Sequence, residues 1–255
     1  MTAVFAHGVP ETERLWDGVR GRLSRKDTVA VSLPGFGVDV PEGFGCTKEE
    51  YVQWLIGEVE GIGAPVDIVG HDWGALLTAR LVQLRPDLVR TWAIGGAAID
   101  EGCDWHPMAK MWQTPGLGEQ VMAGFTLDAM VTALTAEGVP EEAARAVASR
   151  IDDRMKASIL PLYRSAVTFM KDWHADVEKM RARPGLMIWG EKDPYMQLVF
   201  AKKMAERAGA RLVTLPGSHW WPLQFPAEVA AYLDQFWGSA QGTAVGWPGT
   251  GVGAG

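Results

Sequence analysis

Six short runs of β-branched and other apolar residues recur along the chain, most of them followed by turn residues and then by helical periodicity. They are TAVFAHG (2–8), DTVAVSLPG (27–35), VDIVGHD (66–72), VRTWAIGG (89–96), GLMIWGEKD (185–193) and ARLVTLPGSH (210–219). Near-continuous apolarity, without strict alternation, is what strands of a parallel sheet covered on both faces require. Helical patterns lie between several of them. TKEEYVQWLIGEVEGIG (47–63) begins with Thr47 as an N-cap and Glu50 three residues on, the spacing of a capping box. GALLTARLVQLRPDLV and YMQLVFAKKMAERAG are two further helical stretches. This alternation predicts an α/β fold on a doubly wound, mainly parallel sheet of about six strands.

One gap breaks the pattern. Between the fourth and fifth runs about eighty residues carry no β-like run and read as several helices, among them LDAMVTALTAEG, PEEAARAVASRIDD and MKASILPLYRSAVTFMKDWHADVEKM. The expected organisation is a core of residues 1–98 and 182–237, a helical cap at 99–181 inserted after the fourth strand, and a flexible Gly-rich tail at 238–255.

Composition narrows the function classes. A formal net charge of -7 argues against nucleic acid as a partner, and no Lys/Arg-rich run reads as a membrane-surface patch. No apolar stretch approaches the ~20 residues a bilayer requires. The start, MTAVFAHGVP, is too short and lacks the basic residues of a secretory leader. Cys46 and Cys103 stand outside any metal or disulfide spacing, so free thiols in a cytoplasmic protein are expected. Oligomeric state is not legible.

Ligands of an open parallel sheet sit beyond the carboxyl ends of its strands, so the residues ending each run belong together. The first ends in His7-Gly8-Val9-Pro10, the third in Gly70-His71-Asp72-Trp73-Gly74, the fifth in Gly190-Glu191-Lys192-Asp193-Pro194, the sixth in Gly217-Ser218-His219. Two carboxylates and an imidazole therefore meet on one rim, in chain order Asp, Asp, His. Asp72 alone reads as a turn former. With its partners it reads as a nucleophile, because Gly70-x-Asp72-x-Gly74 matches the nucleophile elbow G-x-S-x-G with aspartate in place of serine. Asp193 reads as the orienting acid, with capping of the next helix as the alternative. His7 reads as loop support and His71 as buried packing and hydrogen bonding. One histidine and two carboxylates lack ligand spacing, so no metal is expected.

The order HGVP, GHDWG, GEKDP and GSHWW resembles the α/β-hydrolase superfamily, in particular its aspartate-nucleophile branch of epoxide hydrolases and haloalkane dehalogenases. The resemblance runs over residues 1–237 and implies an α/β-hydrolase fold, here without the two strands that usually precede the HGxP strand. It implies that Asp72 attacks a saturated carbon and that His219, held by Asp193, activates water against the resulting ester; because some relatives place the acid after the fourth strand, Asp100 is the fallback. It further implies an oxyanion hole from the N–H groups of Trp73 and Val9, each donor worth roughly 3 kcal/mol. No cofactor is implied.

Leaving-group stabilisation separates the two chemistries. Epoxide hydrolases use two cap tyrosines; here only Tyr163, in LPLYRSA, lies in the cap, and the other position falls near Met108. His106 is a possible second donor. A dehalogenase needs a second N–H beside Trp73; Val9 cannot supply a side-chain donor, whereas Trp105 and Trp112 can. Twelve tryptophans, with Trp73, Trp105, Trp112, Trp220 and Trp221 as pocket walls, predict a small apolar or aromatic substrate. The expected activity is epoxide opening to vicinal diols, with haloalkane dehalogenation as the alternative.

Overall fold

The computed structural model describes residues 1–240. Six strands, β1 (Ala3–Ala6), β2 (Thr28–Val31), β3 (Val66–His71), β4 (Val89–Gly95), β5 (Gly185–Gly190) and β6 (Arg211–Leu215), form one sheet in the order β2-β1-β3-β4-β5-β6. Every pairing is parallel. β1, β3 and β5 are buried at every residue, whereas the edge strands β2 and β6 are partly exposed. That is the burial near-continuous apolar runs require.

The helices α1 (Asp17–Arg20), α2 (Lys48–Ile62) and α3 (Trp73–Leu84) connect the first strands. Thr47 and Glu50 complete the capping box that opens α2, as their spacing predicts. Between β4 and β5 run α4 (Pro107–Gln113), α5 (Leu117–Ala123), α6 (Leu127–Ala136), α7 (Glu141–Ala148), α8 (Asp153–Ser165) and α9 (Phe169–His174). α10 (Leu198–Ala208), α11 (Trp221–Gln224) and α12 (Pro226–Ala240) complete the fold. The two faces of the sheet bury separate apolar clusters, one around Trp73, Leu77 and Trp92, the other around Phe5, Trp16 and Trp221.

Three expectations change. The long helical reading across 155–180 breaks after Ser165, where the indole Nε1 of Trp105 donates to Ala166 O at 3.1 Å and satisfies a carbonyl the helix end leaves free. Helix α10 starts at Leu198 and leaves out Tyr195 and Met196, because the carboxylate of Asp193 holds both of their N–H groups in a turn. At the C-terminus, α12 continues to Ala240, so residues 238–240 are helical; the remainder of the expected Gly-rich tail, 241–255, lies outside the described residues.

Candidate active site

β1 lies between β2 and β3, so the connection leaving β1 for β2 and the one leaving β3 for β4 diverge at the carboxyl ends of these strands. Such a switch point opens a crevice, and Asp72 sits in it. Its backbone, at φ 51° and ψ -120°, is left-handed in φ, which a non-glycine residue rarely adopts. The flanking glycines permit it. A Cβ on Gly70 would stand 2.3 Å from Gly74 O, one on Gly74 would stand 2.3 Å from Ala6 O, and one on Gly8 would meet Asp72 itself at 2.4 Å.

The carboxylate has two distinct oxygens. Oδ1 accepts the Val9 N–H at 2.8 Å, while Oδ2 lies 3.7 Å from His219 Nε2. Trp73 opens α3, where an N–H has no intrahelical acceptor. Burial is the largest influence on Asp72 and lifts its pKa to about 6, against the opposing pull of His219.

His219 is anchored from the other side, with Nδ1 2.9 Å from Asp193 Oδ2. Burial disfavours its charged form, but the adjacent Asp193 and Asp72 carboxylates outweigh that and raise its pKa to about 9. Asp193 Oδ1 meanwhile accepts the N–H groups of Tyr195 and Met196, at 2.9 and 3.0 Å. The fallback Asp100 instead accepts from Gly102 N and faces Lys203 at 3.9 Å.

Behind this row lies a pair that motif reading missed. Glu11 Oε1 is 2.8 Å from His71 Nδ1, and both side chains are fully buried. Glu11 Oε2 accepts Gly8 N–H at 2.7 Å, and His71 Nε2 lies 2.9 Å from the carbonyl oxygen of His219. Burial would raise the Glu11 pKa, yet the charge and hydrogen bond of His71 bring it below the usual carboxylate value. Glu11 directly follows the HGVP turn, so position was the available signal. Glu11, His71 and His219 also place potential ligand atoms within 4.8 Å of one another, the described cluster whose spacing could admit a metal. Here Glu11 Oε1 and His71 Nδ1 face each other as an ion pair, His71 Nε2 meets the carbonyl oxygen of His219, and His219 Nδ1 meets Asp193. His7 supports the neighbouring loop: Nε2 accepts from Leu33 N at 3.1 Å, leaving Nδ1 to donate to Gly8 O.

Asp72, Val9, Trp73 and His219 line a cavity of about 280 Å³ whose other walls come largely from the helices between β4 and β5. Trp105, Met108, Trp112, Tyr163 and Trp220 all face it. Trp221 does not; it is fully buried on the opposite face of the sheet, with its ring 6.0 Å from Trp16. Tyr163 is 2% exposed and packs between two indoles, 5.4 Å from Trp73 and 4.7 Å from Trp112. Burial, then the charge of Asp72, holds its phenol far above its usual pKa, so it remains protonated. The Nε1 atoms of Trp73 and Trp112 are buried; Trp112 has no hydrogen-bond partner, Trp73 has only the Tyr163 hydroxyl near it, without a well-aligned bond, and that of Trp105 is spent on Ala166.

His106 also lines the cavity, and its Nδ1 accepts Ala109 N–H at 3.3 Å to cap α4. Burial first, then the charge of His219, lowers its pKa to about 4. A neutral ring accepting at Nδ1 must carry its proton on Nε2. Tyr195 and Glu137 line the same cavity and escaped the sequence reading, Tyr195 because it reads as the start of a helix. The Tyr195 ring lies 5.0 Å from His219 and its hydroxyl donates to Glu137 Oε1.

The fold and this row of strand-end residues define an α/β hydrolase. The model of the alpha/beta hydrolase family matches residues 3–232, and the chain belongs to that family. Among curated proteins it is similar to (E)-2-((N-methylformamido)methylene)succinate hydrolase of Acinetobacter baylyi, with 27% identity over 93 residues. That match spans 36% of this chain and only 35% of the curated relative. Among solved structures, a haloalkane dehalogenase of Bradyrhizobium elkani superposes with a TM-score of 0.78 at 20% identity, covering 95% of this chain and 91% of that one. A thermophilic esterase of Thermogutta terrifontis gives a TM-score of 0.75 at 17% identity, covering 94% and 90%. At these identities the structural likeness speaks for the fold. Among the described residues no helix is long and apolar enough to cross a membrane.

Proposed function

We propose that the chain is an aspartate-nucleophile hydrolase that opens small apolar or aromatic epoxides to vicinal diols. The helices between β4 and β5 serve as the cap. The observation that carries this reading is Tyr163, a protonated phenol on the cavity wall whose ionisation the charge of Asp72 opposes. An epoxide oxygen leaves as an alkoxide and needs a proton donor at that place.

Asp72 Oδ2 is the attacking atom, since Oδ1 is already committed to Val9. It bonds to an epoxide carbon as the C–O bond breaks, and Tyr163 gives its proton to the freed oxygen, leaving a hydroxyalkyl ester. His219 Nε2 then takes a proton from water, and the hydroxide attacks Cγ of Asp72. Negative charge develops on Oδ1, where the N–H groups of Val9 and Trp73 stabilise it. Collapse breaks the Cγ–Oδ2 bond and releases the diol; the second water proton completes its new hydroxyl, and His219 returns its own to Tyr163. One atom of water oxygen stays in Asp72. His106, which lines the same cavity and carries its proton on Nε2, is the candidate second donor in ring opening. The reaction so written needs no cofactor.

A second reading is favoured by a separate observation, the buried indole N–H groups of Trp73 and Trp112, neither of which has a well-aligned acceptor. Two such dipoles suit a departing halide, and haloalkane dehalogenation would use the same Asp72, His219 and Asp193. The test offers styrene oxide and 1-chlorohexane in parallel and scores diol and halide. Diol formation is expected; halide release without diol overturns the first reading in favour of the second.

A further inference from the structure

The cavity is mostly apolar, but its wall contains a carboxylate that the hydrolytic chemistry does not use. Glu137 follows α6 and is fixed from two directions. Its Oε1 accepts the Tyr195 hydroxyl, and its backbone oxygen accepts Gln224 Nε2 at 2.8 Å. Gln224 in turn accepts the Ser218 N–H at 2.9 Å, so the position of Glu137 is tied to the loop that carries His219. The second carboxylate oxygen, Oε2, is buried and has no hydrogen-bond partner. Asp104, also on the cavity wall, is by contrast ion-paired with Lys110.

An ionised carboxylate only accepts hydrogen bonds, and a buried oxygen left without a donor is costly. Tyr195 and Gln224 hold Glu137 in place without satisfying Oε2. From these contacts we infer that Glu137 recognises a hydrogen-bond donor, a hydroxyl or a protonated amine, on the end of the substrate remote from the reacting carbon. Tyr195 sets the spacing, with its ring on His219 and its hydroxyl on Glu137. The substrate class is therefore an apolar body with one polar donor at its far end. This rests on the cavity being the substrate site, as proposed above.

Three unreactive, nearly isosteric probes test it: 4-ethyltoluene, 4-methylbenzyl alcohol and 4-methylbenzylamine, titrated calorimetrically against the intact protein. At least one donor-bearing probe should bind tenfold or more tighter than the hydrocarbon. If the amine leads, the recognised donor is a cation; if the alcohol leads, it is a hydroxyl. In Glu137→Met the preference should collapse to within twofold, while Glu137→Gln, which keeps one acceptor oxygen, should lose preference for the amine before that for the alcohol. Equal binding of the three probes by the unaltered protein, or a preference that survives in Glu137→Met, overturns the inference. Should Glu137→Met fail to fold, an amine preference unaltered in Glu137→Gln overturns it equally. Because the probes cannot react, a flat result leaves the proposed reaction standing. A clear preference in a protein that forms neither diol nor halide refutes the reaction and leaves the recognition standing.

Discussion

Glu11 and His71 meet at 2.8 Å in full burial, and the pair joins the two halves of the site. Through its other oxygen Glu11 holds Gly8, whose neighbour Val9 points its N–H at Asp72. Through Nε2, His71 reaches the backbone of His219. That carbonyl can only accept, so His71 Nε2 carries a proton and Nδ1 is the atom that faces the Glu11 carboxylate. A single carboxylate thus sets both the turn that would stabilise the oxyanion and the residue that would activate water.

Removing that carboxylate strands Gly8 N–H and leaves His71 without its buried partner. Breaking such a pair costs about 3–5 kcal/mol. Glu11→Ala is expected to lose at least about 3 kcal/mol in urea unfolding, whereas Glu58→Ala, at an exposed position of α2, should change stability by less than ~0.5 kcal/mol. An Ala variant as stable as the parent would show that the pair does not organise the site.

The proposed ester formation on Asp72 would require its ionised form, and burial raises the Asp72 pKa to about 6. The protonated fraction grows below that value, so the ester-forming rate should fall about tenfold per pH unit in acid. His219 has to be neutral for the second step, and Asp72 is one of the charges that lift it to about 9. Esterification removes that charge. Hydrolysis of the ester should therefore rise with pH through a value below 9, which quenched-flow measurement of the two half-reactions resolves. A hydrolysis step that titrates above 9 would contradict the coupling between these residues.

The same coupling can be read without turnover. In Asp72→Asn the imidazole of His219 loses a neighbouring charge, and its pKa, followed by NMR, should move down from about 9 while the Asp193 contact persists. The variant should neither open epoxides nor release halide. In the unaltered protein, a single turnover in ¹⁸O-water should place the label in Asp72 and not in the diol; label found only in the diol would mean that water attacks the substrate directly.

Much of this arrangement was legible because it follows from backbone rules. Parallel strands bring their carboxyl ends to one rim, so Asp72, Asp193 and His219 could be grouped from strand endings alone. Gly70 and Gly74 declared the tight turn between them. What the sequence could not reveal is how side chains divide their hydrogen bonds over long separations. Trp105 and Trp112 look equivalent as indole donors, yet Trp105 caps a helix end 61 residues away while Trp112 remains free. Tyr195 carries a helix-like pattern, but Asp193 takes its N–H and turns its ring toward His219. Its partner Glu137 is 58 residues distant, and nothing local marks the pair.

Tyr163 and Trp112 touch, with ring centroids 4.7 Å apart, and their substitution separates the two leaving groups. Tyr163→Phe removes one proton donor and keeps the ring that packs between Trp73 and Trp112. General-acid assistance contributes about 10²–10⁴-fold, so ester formation from an epoxide should slow by at least ~10²-fold. Hydrolysis of the ester, as proposed, would use water, His219 and the N–H groups of Val9 and Trp73, and should change by less than about threefold. Trp112→Phe deletes one unpartnered indole N–H and should affect epoxide opening far less than Tyr163→Phe does. The reverse order, with Trp112→Phe the more damaging and halide as the product, would assign the cavity to haloalkanes; equal slowing of both half-reactions by Tyr163→Phe would remove Tyr163 as the proton donor.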